Sequence, residues 1–205
     1  MCSDMMDLIL SSSRPLAISA PRFRTGRLFL RFFEYLQDGG EIYCLDTGNC
    51  FDPYPLAKMA RSRGLSAETV LGNIRVSRAA TCHQIVSVVE EMILPLAEEP
   101  EGKIVLVLAI DSLFMDEDIP LFERRYLFGR ILDGILQASE SLGCLITYNR
   151  GLEQERGGRV WYGALAGRCR VRRGPFPAFE TRVKSEGRLS LPEPSMSVIP
   201  TAGGI

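Results

Sequence analysis

Two short apolar runs, each ending in an aspartate, constrain what this chain can fold into more than any other feature. The first lies within residues 41–56, EIYCLDTGNCFDPYPL, and the second within 102–112, GKIVLVLAIDS. Continuous apolar runs of this length suit strands buried on both faces, and such strands are characteristically parallel ones covered by helices. The closing aspartates, Asp46 and Asp111, would then stand at the carboxyl edge of a sheet, where open α/β folds place their ligands. A nucleotide-type crevice is the first expectation.

The rest of the chain supplies the alternating elements. Residues 15–20 form an apolar run, and a basic turn leads from it to 28–36, where Leu28, Phe29, Phe32, Phe33 and Leu36 recur at helical spacing. Residues 42–46 make the next strand, and a helix begins at 56–63 and is closed by Gly64. A short strand at 74–77 precedes an amphipathic helix over 84–97. A strand at 104–110, a second long helix at 121–142 and a strand at 144–147 complete the α/β half. Beyond residue 159 the pattern changes to strand-like pieces, 160–165, 169–172, 181–183 and 189–191, separated by Gly and Pro, which read as antiparallel hairpins.

Bulk properties bound the answer. At 205 residues the chain suits one core, and 46% hydrophobic with 24% charged residues is ordinary for a globular protein. No apolar stretch approaches the roughly 20 residues that span a bilayer. No secretory pattern follows Met1, so a cytoplasmic address is expected. The six cysteines contain no CxxC pair, and His83 is the single histidine, so no metal centre is expected. The net charge of -1 conceals a division. Residues 36–144 carry nine basic against seventeen acidic side chains, whereas 145–205 carry ten basic against five acidic. A basic end can meet phosphate, and a solvated surface produces the same asymmetry.

A phosphate-binding loop needs glycines whose N–H groups wrap the phosphates, a lysine for their charge, and a Ser or Thr hydroxyl for magnesium. Between the first strand and first helix stands Pro21-Arg22-Phe23-Arg24-Thr25-Gly26-Arg27-Leu28. Only Gly26 fits in full. Pro21 takes the place of the leading glycine and has no N–H, Arg27 keeps the positive charge, and Leu28 cannot ligate a metal. Taken by itself, the segment also reads as a plain Arg-rich strand-to-helix loop.

Laid end to end, the segments resemble the ATPase core of the RecA/RadA recombinase superfamily, most closely the archaeal and eukaryotic branch with its RadB-like paralogues. Residues 43–56, YCLDTGNCFDPYPL, are similar to that branch's YIDTEGTFRPERL, and 70–79, VLGNIRVSRA, to its LDNIAVARA, with His83-Gln84 matching HQ. The strand ending at Asp111-Ser112 looks like Walker B, 121–125 (LFERR) like LxxRQ, 146–149 (ITYN) like ITNQ, and 191–193 like LPE. The collinear order from 15 to 205 carries the resemblance.

The resemblance implies a RecA-like P-loop NTPase core over 15–205 behind an N-terminal extension of 1–14, with a mostly parallel central sheet and an antiparallel β-rich C-terminal part. Its catalytic glutamate falls on Gly48, so no catalytic residue is assigned. Gly26, Arg27, Asp111 as an acid near a metal, and Asn149 as a phosphate sensor remain as nucleotide-binding candidates. Of the family's two DNA-binding loops, the first falls on 115–120, where Asp116, Glu117 and Asp118 repel phosphate. The second falls on 150–159 with Arg150, Arg156 and Arg159. Residues 1–14 contain no FxxA-type polymerisation motif.

Two functions follow. In the first, the chain is a degenerate recombinase paralogue, an accessory or regulatory subunit in DNA recombination and repair. It has lost or weakened ATP hydrolysis, holds no cofactor or only weakly bound ATP and magnesium, and docks a recombinase or paralogue subunit in an oligomer or hetero-complex, with single-stranded DNA as a further partner. In the second, it is an active ATP-binding DNA-repair ATPase in which Arg27 clamps the triphosphate and Asp46 or Asp52 replaces the missing acid. Between them lies nucleotide bound as a structural ligand without turnover.

Overall fold

The computed structural model describes residues 3–20, 25–149, 152 and 158–172. Among the described residues six strands form one sheet: β1 (Leu16–Ser19), β2 (Glu41–Asp46), β3 (Ile74–Arg78), β4 (Lys103–Leu108), β5 (Gly143–Tyr148) and β6 (Arg170–Arg172). Their order is β3-β2-β4-β5-β1-β6, and all five pairings are parallel. The most apolar runs occupy the middle: every residue of β5 is buried, as is all of β4 beyond Lys103. Among the described strands the polar runs lie outermost, IRVSR in β3 and RVR in β6.

Around the sheet lie α1 (Ser3–Leu10), α2 (Thr25–Phe29), α3 (Phe33–Gln37), α4 (Tyr54–Ser62), α5 (Ala67–Leu71), α6 (Cys82–Val88), α7 (Leu94–Leu96), α8 (Leu121–Ala138) and α9 (Gly158–Arg168). From β1 to β2 to β3 the chain steps towards one edge, and from β3 onward it steps back through β4 and β5 to β6. Parallel crossovers are right-handed, so the two directions of travel put their helices on opposite faces. The core divides accordingly. Leu16, Ile18, Ile42, Cys44 and Leu106 pack with Leu28, Phe29, Phe33, Leu56 and Val70 on one face, joined by Met5 and Ile9 of α1. On the other, Ala17, Leu45, Val105, Val107 and Ile146 pack with Ile85, Ile131, Ile135 and Trp161. Alternate strand residues serve alternate faces, as a two-residue period requires.

Local chemistry sets several helix boundaries. Thr81 caps α6 by accepting from the Gln84 N–H at 3.2 Å, while Gln84 Oε1 accepts from the Ala80 N–H at 2.8 Å. Gly64, with φ 73°, ends α4 in the left-handed conformation that only glycine adopts without strain. The long helix expected over 84–97 contains a π-helical turn, Val89–Ile93, directly ahead of α7 and its Pro95. Proline lacks the N–H that would continue the α-helical ladder, and the wider turn accommodates the gap.

The C-terminal part differs from expectation. Residues 160–165 are not a strand but lie inside α9, because Trp161 and Leu165, four apart, are both buried against the core beside Phe114 and Phe128. The β-prone Val160-Trp161-Tyr162 run and the glycines at 163 and 167 disguise that spacing. The strand expected at 169–172 is present as β6, and among the described residues its partner is β1, in parallel. The pieces at 181–183 and 189–191 lie outside the described residues. Residues within 1–14 are tied to the core through α1, and α5 is a helix the periodicity did not announce, fixed by Ser66, whose side chain accepts from the Glu68 N–H.

Candidate functional site at the carboxyl edge of the sheet

The reversal of chain direction creates two crevices at the carboxyl edge, one between β2 and β4 and one between β1 and β5, where adjacent loops depart to opposite faces. The first is the crevice the aspartate-ended runs point to, and its own side chains close it. Thr47, buried, lies with its hydroxyl 2.8 Å from the Leu108 carbonyl and 2.7 Å from that of Ala109, and its N–H donates to Leu108 at 3.2 Å. Ala109 adopts φ 52°, an uncommon conformation for a residue with a Cβ, and its N–H is met by the Thr147 hydroxyl at 2.8 Å. A Cβ on Gly48 would lie 2.7 Å from the Ala109 Cβ and 3.2 Å from the Ser112 hydroxyl. A glutamate at 48 has no room to stand there without displacing the β4 loop. The Ser112 Oγ is itself buried and has no hydrogen-bond partner among the described residues.

Asp46 does not project into this space. Its carboxylate accepts from the Cys50 N–H at 2.9 Å and the Phe51 N–H at 3.0 Å, with Arg78 Nε at 3.6 Å. These bonds pin the 47–51 loop, so the buried aspartate acts as the loop's anchor. Asp52 accepts from the Tyr54 N–H at 3.0 Å ahead of α4, and it also packs over Gly26, where a Cβ would meet its Oδ2 at 3.0 Å and Pro55 Cγ at 3.1 Å. Both acids offered as substitutes for the missing glutamate therefore carry structural hydrogen bonds.

Where the ends of β4 and β5 adjoin, the structure brings together two of the four nucleotide-binding candidates. Asp111, 2% exposed, accepts from the Asn149 N–H at 3.0 Å and from the Asn149 side-chain amide at 2.7 Å. Each of its oxygens is engaged, and Asn149 spends its amide donor on the same partner. Gly26 belongs to a different neighbourhood, against α4, and Arg27 is exposed on α2. Leu28, at the magnesium-hydroxyl position of the resemblance, is a core residue at 5% exposure. Residues 21–24, which complete that loop, lie outside the described residues.

Of the DNA-binding candidates, Arg150 and Arg156 lie outside the described residues and Arg159 is exposed at the start of α9. Asp116, Glu117 and Asp118 are exposed, with Asp116 accepting from the Asp118 N–H at 3.0 Å in a tight turn.

One grouping was missed in the sequence. Cys82 Sγ approaches His83 Nδ1 at 3.8 Å, and His83 Nε2 meets Glu123 Oε1 at 2.9 Å. A sulfur, an imidazole and a carboxylate in line have the form of an activated nucleophile. Burial, however, pushes the Cys82 thiol up, and the residue is wholly inaccessible. His83 paired with Glu123 instead ties the start of α6 to α8. Among the described residues no group of histidine, cysteine or acidic side chains is placed to hold a metal ion, and no helix is long and apolar enough to cross a membrane.

Comparison with protein-family models finds no match, and comparison with curated proteins finds none either.

Proposed function

We propose that the chain is a RecA/RadA-like paralogue that works by binding rather than turnover, an accessory or regulatory subunit for a recombinase in DNA recombination and repair. The identity of the family rests on the collinear motifs between 15 and 205, and the parallel α/β sheet is compatible with it. The loss of chemistry rests on one observation above all. The space where a water-activating glutamate would project from position 48 is taken by the Cβ of Ala109. Removing a general base costs about 100- to 10,000-fold in rate, and here the neighbouring acids are committed as well: Asp46 to its loop, Asp111 to Asn149.

A fold kept without its chemistry is useful for its surfaces. In this reading the partner is a recombinase or another paralogue, and the second basic loop, Arg150, Arg156 and Arg159, supplies contact with single-stranded DNA.

Thermal denaturation with and without millimolar ATP and magnesium tests the first half, since a ligand that binds the folded state stabilises it as RT ln(1 + [L]/Kd). No shift and no phosphate release are expected. Hydrolysis that Arg27→Ala abolishes would overturn the reading. Co-purification from the native source tests the second half: a recombinase in the eluate supports it, and a metabolic or membrane partner alone would refute it. Salt-sensitive binding to single-stranded DNA, weakened by Arg156→Ala, is the expected signature of direct DNA contact.

A further inference from the structure

We infer that the groove between α4 and α5 binds a short acidic segment, built around one apolar anchor, of a partner protein unlike this chain. Leu56 and Ala60 of α4 and Val70 of α5 are buried in the core, and the groove, about 860 Å³, lies between the sides those helices keep outside it. Its floor holds Ala57, Ala67 and Leu71. Two alanines leave room above them for an incoming apolar side chain. The rim carries Tyr54, Lys58 and Arg61, which recur at intervals of four and three residues along one side of α4. They span about 10 Å, the length of about three residues of extended peptide. Tyr54 is 79% exposed, so its ring offers an apolar face beside the floor with a hydroxyl at its tip.

Charge selects the occupant. Residues 53–65 carry three cations and no acid. Arg63 is committed elsewhere, with its guanidinium 4.7 Å over the Phe33 ring and Nη1 4.0 Å from Glu34 Oε1. Lys58 and Arg61 are exposed, and neither forms an ion pair among the described residues. The nearest acids along the chain are engaged: Glu68 accepts from the Ser66 hydroxyl at 2.8 Å, and Asp52 accepts from the Tyr54 N–H at 3.0 Å. Two unanswered cations one helical turn apart favour an occupant with carboxylates on either side of its anchor. Exposed ion pairs add little affinity each, so the anchor on the apolar floor supplies the grip and the rim supplies the choice of partner. A nucleic acid fits less well, because its phosphates follow a longer stripe of cations, whereas here two stand over an alkyl floor with the Glu68 carboxylate in the same groove. The inference uses neither the nucleotide crevice nor the proposed loss of turnover, so it stands or falls separately.

Selection of random dodecapeptides displayed on phage against the immobilised full chain tests it. The wild type should enrich peptides in which Asp or Glu flank a single Leu, Met or Phe. A fluorescent synthetic copy of the most enriched peptide should bind in anisotropy titrations, and more weakly as salt is raised, because screening shortens the reach of exposed charges. Lys58→Glu with Arg61→Glu should weaken that binding about tenfold or more. Ala67→Phe, which fills the floor and leaves the charge alone, should weaken it as well. Lys58 and Arg61 are exposed, so circular dichroism and the melting temperature of the double reversal should stay at wild-type values and confirm folding. A selection without acidic enrichment would overturn the inference, and so would binding that survives either the reversals or the filled floor. Two further outcomes would overturn it in favour of another occupant when no acidic peptide is enriched. Binding of fluorescent oligodeoxythymidylate that the reversals abolish would make the groove a nucleic-acid surface, and self-association in sedimentation velocity that they abolish would make it a contact between copies.

Discussion

Gly48 and Ala109 are locked together at the carboxyl edge: the missing Cβ of one would lie 2.7 Å from the Cβ of the other. Two strands that end side by side have been drawn in until only a hydrogen atom fits between them. Gly48→Ala should therefore destabilise the fold by about 1–3 kcal/mol, the usual cost of forcing extra carbon into a packed site. Gly48→Glu should cost more and should confer no ATPase activity. Ala109 holds φ 52°, which glycine adopts freely, so Ala109→Gly relieves both the strained backbone and the crowding. In the double variant Gly48→Ala with Ala109→Gly most of the lost stability should return. Urea denaturation of the four proteins measures the coupling, and additive losses would contradict the steric account.

Asn149→Ala tests whether the Asp111–Asn149 pair is structural. Removal of the side-chain amide leaves one oxygen of a buried carboxylate without its 2.7 Å donor, a loss of about 1–3 kcal/mol. Asp111→Ala should cost a similar amount by stranding the Asn149 donors. The two losses together should fall short of their sum, because the second change removes a partner already orphaned. A double-mutant cycle in urea gives the number. A cycle that closes additively would show that the two residues act independently.

The sequence made the centre of this fold legible and its margins much less so. β4 and β2 were plain because a buried parallel strand must be apolar on both faces, and nothing local competes with that demand. α9 was opaque for the converse reason. Val160, Trp161 and Tyr162 favour strands locally, and only the burial of Trp161 and Leu165 against Phe114 and Phe128 decides for a helix. Asp46 and Asp111 were placed correctly at the sheet edge, but their partners were invisible. That Asp46 is spent on the Cys50 and Phe51 N–H groups depends on how the 47–51 loop turns, and no spacing encodes that turn. Ala109 gave no signal at all, since a left-handed alanine looks like any other.

Arg14, just ahead of β1, reaches across to the end of α9. Its Nε donates to the Arg168 carbonyl at 3.1 Å and its Nη2 to the Gly167 carbonyl at 2.8 Å, so a cation caps the carbonyl end of α9. Arg14→Ala should cost about 1 kcal/mol at this solvent-exposed position. Lys in its place should recover only part, because an ammonium cannot reproduce the fork. Hydrogen exchange should locate the loss, with amides of α9 and β6 exchanging faster and those of β4 unchanged. Uniform loss of protection across the sheet would instead mean that Arg14 supports the whole fold.

Alkaline pH should unfold the protein through protons that the folded chain holds more tightly than the unfolded one. Burial pushes the Cys144 and Cys169 thiols from 9.0 up to about 12. Tyr35, half-buried with Glu41 nearby, is raised from 10.0 to about 12, chiefly by burial and then by that carboxylate. Its hydroxyl has no hydrogen-bond partner among the described residues, and its ring leaves only a hydrogen's width at Gly40, where a Cβ would lie 2.4 Å away. All three groups are neutral in both states below pH 9, so their contribution is then fully present. Above that the unfolded chain loses protons that the folded chain keeps, and linkage requires stability to fall as pH rises towards 12. The urea midpoint should be flat up to pH 9 and decline steadily beyond it. Below that pH, alkylation followed by peptide mapping should label the half-buried Cys50 and spare Cys144 and Cys169. A midpoint that rises above pH 9, or prompt labelling of Cys144 in the folded protein, would show that these thiols are not held in the interior as the packing requires.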